Sequence, residues 1–85
     1  MTLNEINKKV RSILAQNSPG IGPDDVIMTV DIKDTYYSVE TKSVYVNRIC
    51  RAFDFVDCTE FSNKTFDNLK NGQKVVNYIN ATQNS

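Results

Sequence analysis

Apolar residues recur at helical spacing from the start of this chain, and this periodicity constrains the fold more than any other feature. Thr2 and Glu5 form a capping-box pattern, which satisfies backbone amides at the beginning of a helix. The pattern predicts a first helix over about residues 3–16, which the proline and glycine residues between positions 17 and 23 end. Its apolar face consists of Leu3, Ile6, Val10, Ile13 and Leu14.

A second helical pattern follows a long loop. Val39, Val46 and Phe53 are seven residues apart, and this spacing predicts a second helix over about residues 39–54. Ser38 stands at the N-cap position of this helix, where a serine oxygen can accept a hydrogen bond from a backbone amide.

The segment between these two helices alternates apolar and other residues at Val26, Met28, Val30 and Ile32. Taken alone, this alternation indicates a strand. The sequence has no second strand pattern for it to pair with, and a single strand is not stable. We therefore expect an extended loop whose alternate side chains enter a helical core.

Two further helices complete the predicted fold. Ser62 caps a short helix over residues 63–67, and Asn71 caps a last helix over residues 72–82. The apolar face of the last helix consists of Val75, Val76 and Ile79. The sequence thus predicts one domain over residues 1–85, an all-α four-helix bundle with three longer helices, one short helix and a long loop between helices 1 and 2.

Composition bears on the class of function. The ten basic and ten acidic residues give a formal net charge of zero, which opposes a small DNA-binding domain, although short helices allow one. The chain has no histidine, so we expect neither catalysis by the chain itself nor a metal site. No apolar stretch is long enough to span a membrane, and the N-terminus lacks a signal-peptide pattern. We expect a cytoplasmic monomer, with Cys50 and Cys58 as small apolar side chains in a reducing compartment.

The order of these elements resembles the acyl carrier proteins. The resemblance rests on the first apolar stripe, the long loop, the run Asp-Thr-Tyr-Tyr-Ser-Val-Glu-Thr at residues 34–41, and the run Val-Val-Asn-Tyr-Ile-Asn at residues 75–80. The usual family signature is Asp-Ser-Leu, and the corresponding residues here are Tyr37-Ser38-Val39. The resemblance implies an acyl-carrier-like bundle with Ser38 at the start of the second helix.

The resemblance also implies a function. Ser38 would carry 4′-phosphopantetheine, whose thiol holds an acyl or aminoacyl group for fatty-acid, specialised lipid or secondary-metabolite synthesis. A phosphopantetheinyl transferase attaches this arm in the family, and acyl-transferring or synthase enzymes use it. Family members are usually acidic along the second helix, whereas residues 40–54 carry three basic and two acidic side chains here. This difference favours a dedicated partner, contacted through Val39, Lys42, Arg48 and Arg51.

Two alternatives stay open on the sequence. Serine at an N-cap stabilises a helix by about 1 kcal/mol over alanine without any modification, so Ser38 can be a cap alone. The chain can also be a carrier-fold protein-interaction module that has lost the prosthetic arm.

Overall fold

The computed structural model describes residues 1–16, 20–35 and 42–84. Over these residues the chain forms five α-helices, one 3₁₀ turn at Pro23–Asp25 and no β-strand, which confirms the predicted all-α class. The helices are α1 (Leu3–Ala15), α2 (Ile32–Thr35), α3 (Lys42–Ala52), α4 (Asn63–Leu69) and α5 (Gly72–Gln83). The three longer helices and the short α4 correspond to predicted elements, whereas α2 was not predicted.

Helix α1 begins with the capping box that the sequence predicts. Thr2 Oγ1 accepts a hydrogen bond from the Glu5 amide at 3.1 Å, and Glu5 Oε1 accepts one from the Thr2 amide at 3.0 Å. The hydrogen bond from the Thr2 backbone amide, followed by one from the Thr2 side chain, lowers the pKa of Glu5, because it favours the ionised carboxylate. The side chains of Ser62 and Asn71 cap α4 and α5, as predicted, by accepting hydrogen bonds from the amides of Thr65 and Lys74.

A single hydrophobic core holds the helices together. Helix α1 packs against α5 and α3, and α4 packs against both α3 and α5. The largest side chains that are almost fully buried are Tyr45, Phe53, Phe61, Phe66, Ile6, Leu14, Ile32, Ile49 and Ile79. The predicted apolar faces of α1, α3 and α5 contribute to this core, except that Leu3 is 53% exposed, so its predicted place on the buried face of α1 is wrong.

The alternating segment before α2 behaves as an extended loop. Val26 and Met28 are buried and Val30 is half-buried, while Ile32 is buried at the start of α2. The segment makes one isolated antiparallel bridge, between Asp31 and Asn71. The alternation therefore reflects the burial of these side chains against the helices, as predicted, and not a strand in a β-sheet.

Backbone hydrogen bonds fix this loop to the start of α5. The Gln73 amide donates to the Met28 carbonyl at 2.9 Å, and the Ile32 amide donates to the Lys70 carbonyl at 2.8 Å. Gly72 lies between these two contacts. A Cβ atom at Gly72 would lie 2.8 Å from Met28 Sδ, so the close approach of the loop explains a glycine at the first position of a helix.

Helix α3 ends earlier than the sequence predicts. The helix stops at Ala52, two residues before the predicted end at residue 54, although the Phe53 amide still donates to the Ile49 carbonyl at 3.1 Å. The Val56 amide then donates to the Phe53 carbonyl, so the chain turns immediately after the helix. At the other end of the protein, α5 extends to Gln83, one residue beyond its predicted end.

The turn between α4 and α5 contains a strained backbone position. Lys70 has a φ of 72° and a ψ of −52°, and the Asn71 amide donates to the Leu69 carbonyl at 2.9 Å across it. This geometry is a γ-turn of the hand that side chains disfavour. We expect Lys70→Gly to raise the free energy of unfolding by about 1 kcal/mol, because glycine has no Cβ to strain. Urea unfolding would measure this change, and a decrease in the free energy of unfolding would contradict the assignment of backbone strain to Lys70.

Candidate functional site

The predicted attachment residue lies outside the described part of the chain. Ser38 and Val39 fall within residues 36–41, so the structure leaves their assigned roles as predictions. The structure does describe both flanks of this segment. The upstream flank is α2, and the downstream flank is the first turn of α3.

The upstream flank is anchored to the turn between α4 and α5. The Ile32 amide donates to the Lys70 carbonyl at 2.8 Å, and Asp31 forms its bridge with Asn71. Asp31 Oδ1 also accepts a hydrogen bond from the Lys33 amide at 3.1 Å, which stabilises the first turn of α2. This short helix therefore depends on contacts with residues far away in the sequence.

The downstream flank is anchored to α4. Lys42 Nζ forms an ion pair with Asp67 Oδ2 at 3.0 Å, and the Asn63 side-chain amide donates to Ser43 Oγ at 2.8 Å. Both side chains of the ion pair are more than one third exposed, so it contributes at most about 1 kcal/mol. The two described flanks of the candidate segment thus both contact the α4–α5 region.

The three predicted cationic contact residues of α3 do not form one surface. Lys42 pairs with Asp67, on the side of α3 that faces α4. Arg48 is half-buried and Arg51 is exposed. Each helical residue is rotated by about 100° from the previous one, so Arg48 and Arg51 leave the helix on a different side from Lys42.

Sequence reasoning missed a covalent link near the end of α3. Cys50 and Cys58 form a disulfide with a Cα–Cα distance of 5.8 Å, so the expectation of two separate apolar side chains is wrong. The turn after Ala52 brings Cys58 back beside the last turn of α3. The two cysteines are eight residues apart in the sequence. This spacing alone does not show that they are in contact, because contact depends on where α3 ends.

An acidic turn lies next to this disulfide. Asp57 Oδ1 accepts hydrogen bonds from the Thr59 amide at 2.9 Å and from the Thr59 hydroxyl at 2.6 Å. The side-chain bond from Thr59, followed by its backbone bond, lowers the pKa of Asp57. These bonds fix the turn that precedes α4.

The described ranges 1–16, 20–35 and 42–84 lack both a metal-binding cluster and a membrane-spanning helix. They contain no group of three or more histidine, cysteine, aspartate or glutamate residues that could hold a metal ion. They also contain no helix that is both long and apolar enough to cross a membrane.

Comparison with known proteins gives no further assignment. No protein-family model, no curated protein and no solved structure matches the chain.

Proposed function

We propose that this protein is a carrier that holds an acyl or aminoacyl group on a 4′-phosphopantetheine arm attached to Ser38. Partner enzymes would attach the arm, load it and use its cargo in fatty-acid, specialised lipid or secondary-metabolite synthesis. The observation that carries the proposal is the position of Ser38, four residues before the first described residue of α3, on a connection anchored at both ends.

The electrostatics of α3 suit a phosphate on this connection. The N-terminal end of an α-helix carries a partial positive charge that favours an anion. The first described turn of α3 contains no acidic residue, and Lys42 places a cation at the first described position. A phosphodiester on Ser38 would be close in sequence to this cation and to the positively polarised end of α3.

The two described flanks of the segment are anchored on the bundle. The hydrogen bond of Ile32 and the contacts of Lys42 and Ser43 attach these flanks to the α4–α5 region. When bound, the arm supplies a thiol that carries the cargo as a thioester, and a chain without histidine needs no general base for that role.

The proposal is tested by coexpression with a broad-specificity phosphopantetheinyl transferase, followed by intact mass measurement. We expect the protein without substitutions to gain the mass of one arm and the Ser38→Ala variant to gain none. Ser12→Ala is the matched control, because Ser12 is an exposed serine on α1, outside the candidate segment and its flanks, and this variant should still gain the arm. The proposal would be contradicted if the protein without substitutions gained no mass, or if the Ser38→Ala variant gained the mass of the arm to the same extent.

The second candidate function is a carrier-fold protein-interaction module without the arm. The basic character of α3, which holds Lys42, Arg48 and Arg51 but no acidic residue, favours it. A stable partner whose binding is unchanged by Ser38→Ala would support this module, provided that the protein from its own cells carries no arm.

The cytoplasmic location and the monomeric state stay predictions. Disulfides are rare in the cytosol, so a cytoplasmic protein should hold Cys50 and Cys58 as thiols in the cell. Trapping thiols with an alkylating agent during lysis would test the location, and a fully oxidised pair would contradict it.

A further inference from the structure

An open groove runs between α1 and the end of α3. It has a volume of about 330 Å³, at the lower end of the range for ligand sites. Its lining consists of Lys8, Lys9, Ser12, Ile13 and Ala52. None of these residues belongs to the candidate attachment segment, so the groove is a separate feature of the protein.

The groove combines apolar walls with cations at its edge. Ile13 and Ala52 provide apolar surface, and the methylene chains of lysines add to it while their ammonium groups reach water. Lys9 is held in place, because its Nζ donates to the Ala52 carbonyl at 3.4 Å and lies 5.7 Å from the centre of the Phe53 ring. The Lys9 side chain on α1 is therefore held at the edge of the groove by its contacts with Ala52 and Phe53.

The two helices that form the groove concentrate positive charge in a neutral chain. Together α1 and α3 contain six of the ten basic residues of the chain and only one of its ten acidic residues. The acidic residue is Glu5, whose carboxylate is engaged in the capping box. Arg11 binds the carbonyls of Pro23 and Val26, on another side of α1. Lys8 and Lys9 line the groove itself.

We propose that the α1/α3 groove docks an acidic amphipathic segment of a partner protein. Apolar side chains of the segment would pack on Ile13 and Ala52, and its carboxylates would meet Lys8 and Lys9. Such charge complementarity speeds association and selects acidic partners. The inference goes beyond the carrier function, because docking in this groove does not require the arm on Ser38.

Shape and charge favour a protein segment over nucleic acid or an anionic membrane. Among the described residues no aromatic ring lines the groove, so these residues offer no stacking platform for bases. The sequence outside α1 and α3 holds nine acidic and four basic residues, which would repel an extended polyanion. A narrow acidic segment avoids this repulsion, because it contacts the groove alone.

The test is a binding titration of the full chain with a synthetic helical peptide that has leucines on one face and glutamates on the other. We expect saturable binding that weakens with added salt. Lys8→Glu with Lys9→Glu should weaken it by about tenfold or more, since both cations become repulsive. The matched control, Lys64→Glu with Lys74→Glu, reverses the same charge at exposed positions on α4 and α5 and should change affinity by less than about threefold.

Further variants separate the possible outcomes. If the double lysine reversal disturbs folding, Lys8→Glu alone tests the groove, because it leaves the contacts of Lys9 in place, and it should also weaken binding. Ser38→Ala should bind the peptide normally, so failure of the groove and failure of the carrier function are distinguishable. The inference is overturned if the peptide does not bind, or if both double reversals weaken it equally. Tighter binding of a DNA duplex or of phosphatidylglycerol vesicles than of the peptide would also overturn it.

Discussion

Replacing Phe66 by alanine should remove about 3–5 kcal/mol from the free energy of unfolding. Phe66 is 1% exposed, its ring stacks on Tyr45 with centroids 6.3 Å apart, and it meets Phe61 edge-on at 6.1 Å. The ring thus joins α4 to α3 and to the loop before α4. A chain of this length has a total stability of about 4–13 kcal/mol, so the loss removes a large share of it. Urea unfolding followed by circular dichroism measures the effect.

Phe55→Ala is the control for this prediction. Phe55 is 37% exposed and its ring contacts Phe53 at 5.9 Å, so the same substitution there should cost less than about 1.5 kcal/mol. Equal costs at the two positions would contradict the packing described for α4. A loss below about 1 kcal/mol at Phe66 would do the same.

Reduction of the Cys50–Cys58 disulfide should have the second largest effect. The bond closes a short loop from the last turn of α3 to the turn before α4. Constraining a loop of this size in the unfolded chain stabilises the fold by about 2.5 kcal/mol in the chain-entropy model. We therefore expect a phosphine reductant, which converts the disulfide to two thiols, to lower the melting temperature by about 10–20 °C.

The matched control is the double variant Cys50→Ser with Cys58→Ser. It should melt at a temperature close to that of the reduced protein and should not respond to the reductant. Thiol titration of the unfolded, unreduced protein should find no reactive thiol. Two reactive thiols per chain in protein purified in air would show that the pair does not form.

The helices were predictable because their signals are local. The capping residues Thr2, Ser62 and Asn71 lie within three residues of the amides that they bind, and the apolar faces of α1 and α5 follow the helical period. These patterns require no knowledge of the rest of the chain. The burial of the alternating loop was also predictable, since the sequence offered no second strand.

The errors arise where distant residues decide the structure. Helix α2 has four residues, too few for a periodic pattern, and it depends on the hydrogen bond from Ile32 to Lys70. No glycine or proline marks the end of α3 at Ala52, where the chain turns and Cys58 returns to Cys50. The fold, and not the local sequence, sets both features.

The candidate site could be predicted only as a set of residue types. Sequence spacing placed Lys42, Arg48 and Arg51 on one helix, and it could not show that Lys42 pairs with Asp67 on α4. It also gave no reason to group Lys8 and Lys9 with the end of α3, because the packing of α1 against α3 creates that groove. The position of Ser38 before α3 is the part that the sequence alone supplies.

The most direct test of the carrier function is the mass of one tryptic peptide from the protein in its own cells. Cleavage after Lys33 and Lys42 releases residues 34–42, which contain Ser38. The account predicts that this peptide carries 4′-phosphopantetheine and that fragmentation places it on Ser38. An unmodified peptide, or an arm on another hydroxyl of the peptide, would contradict the account.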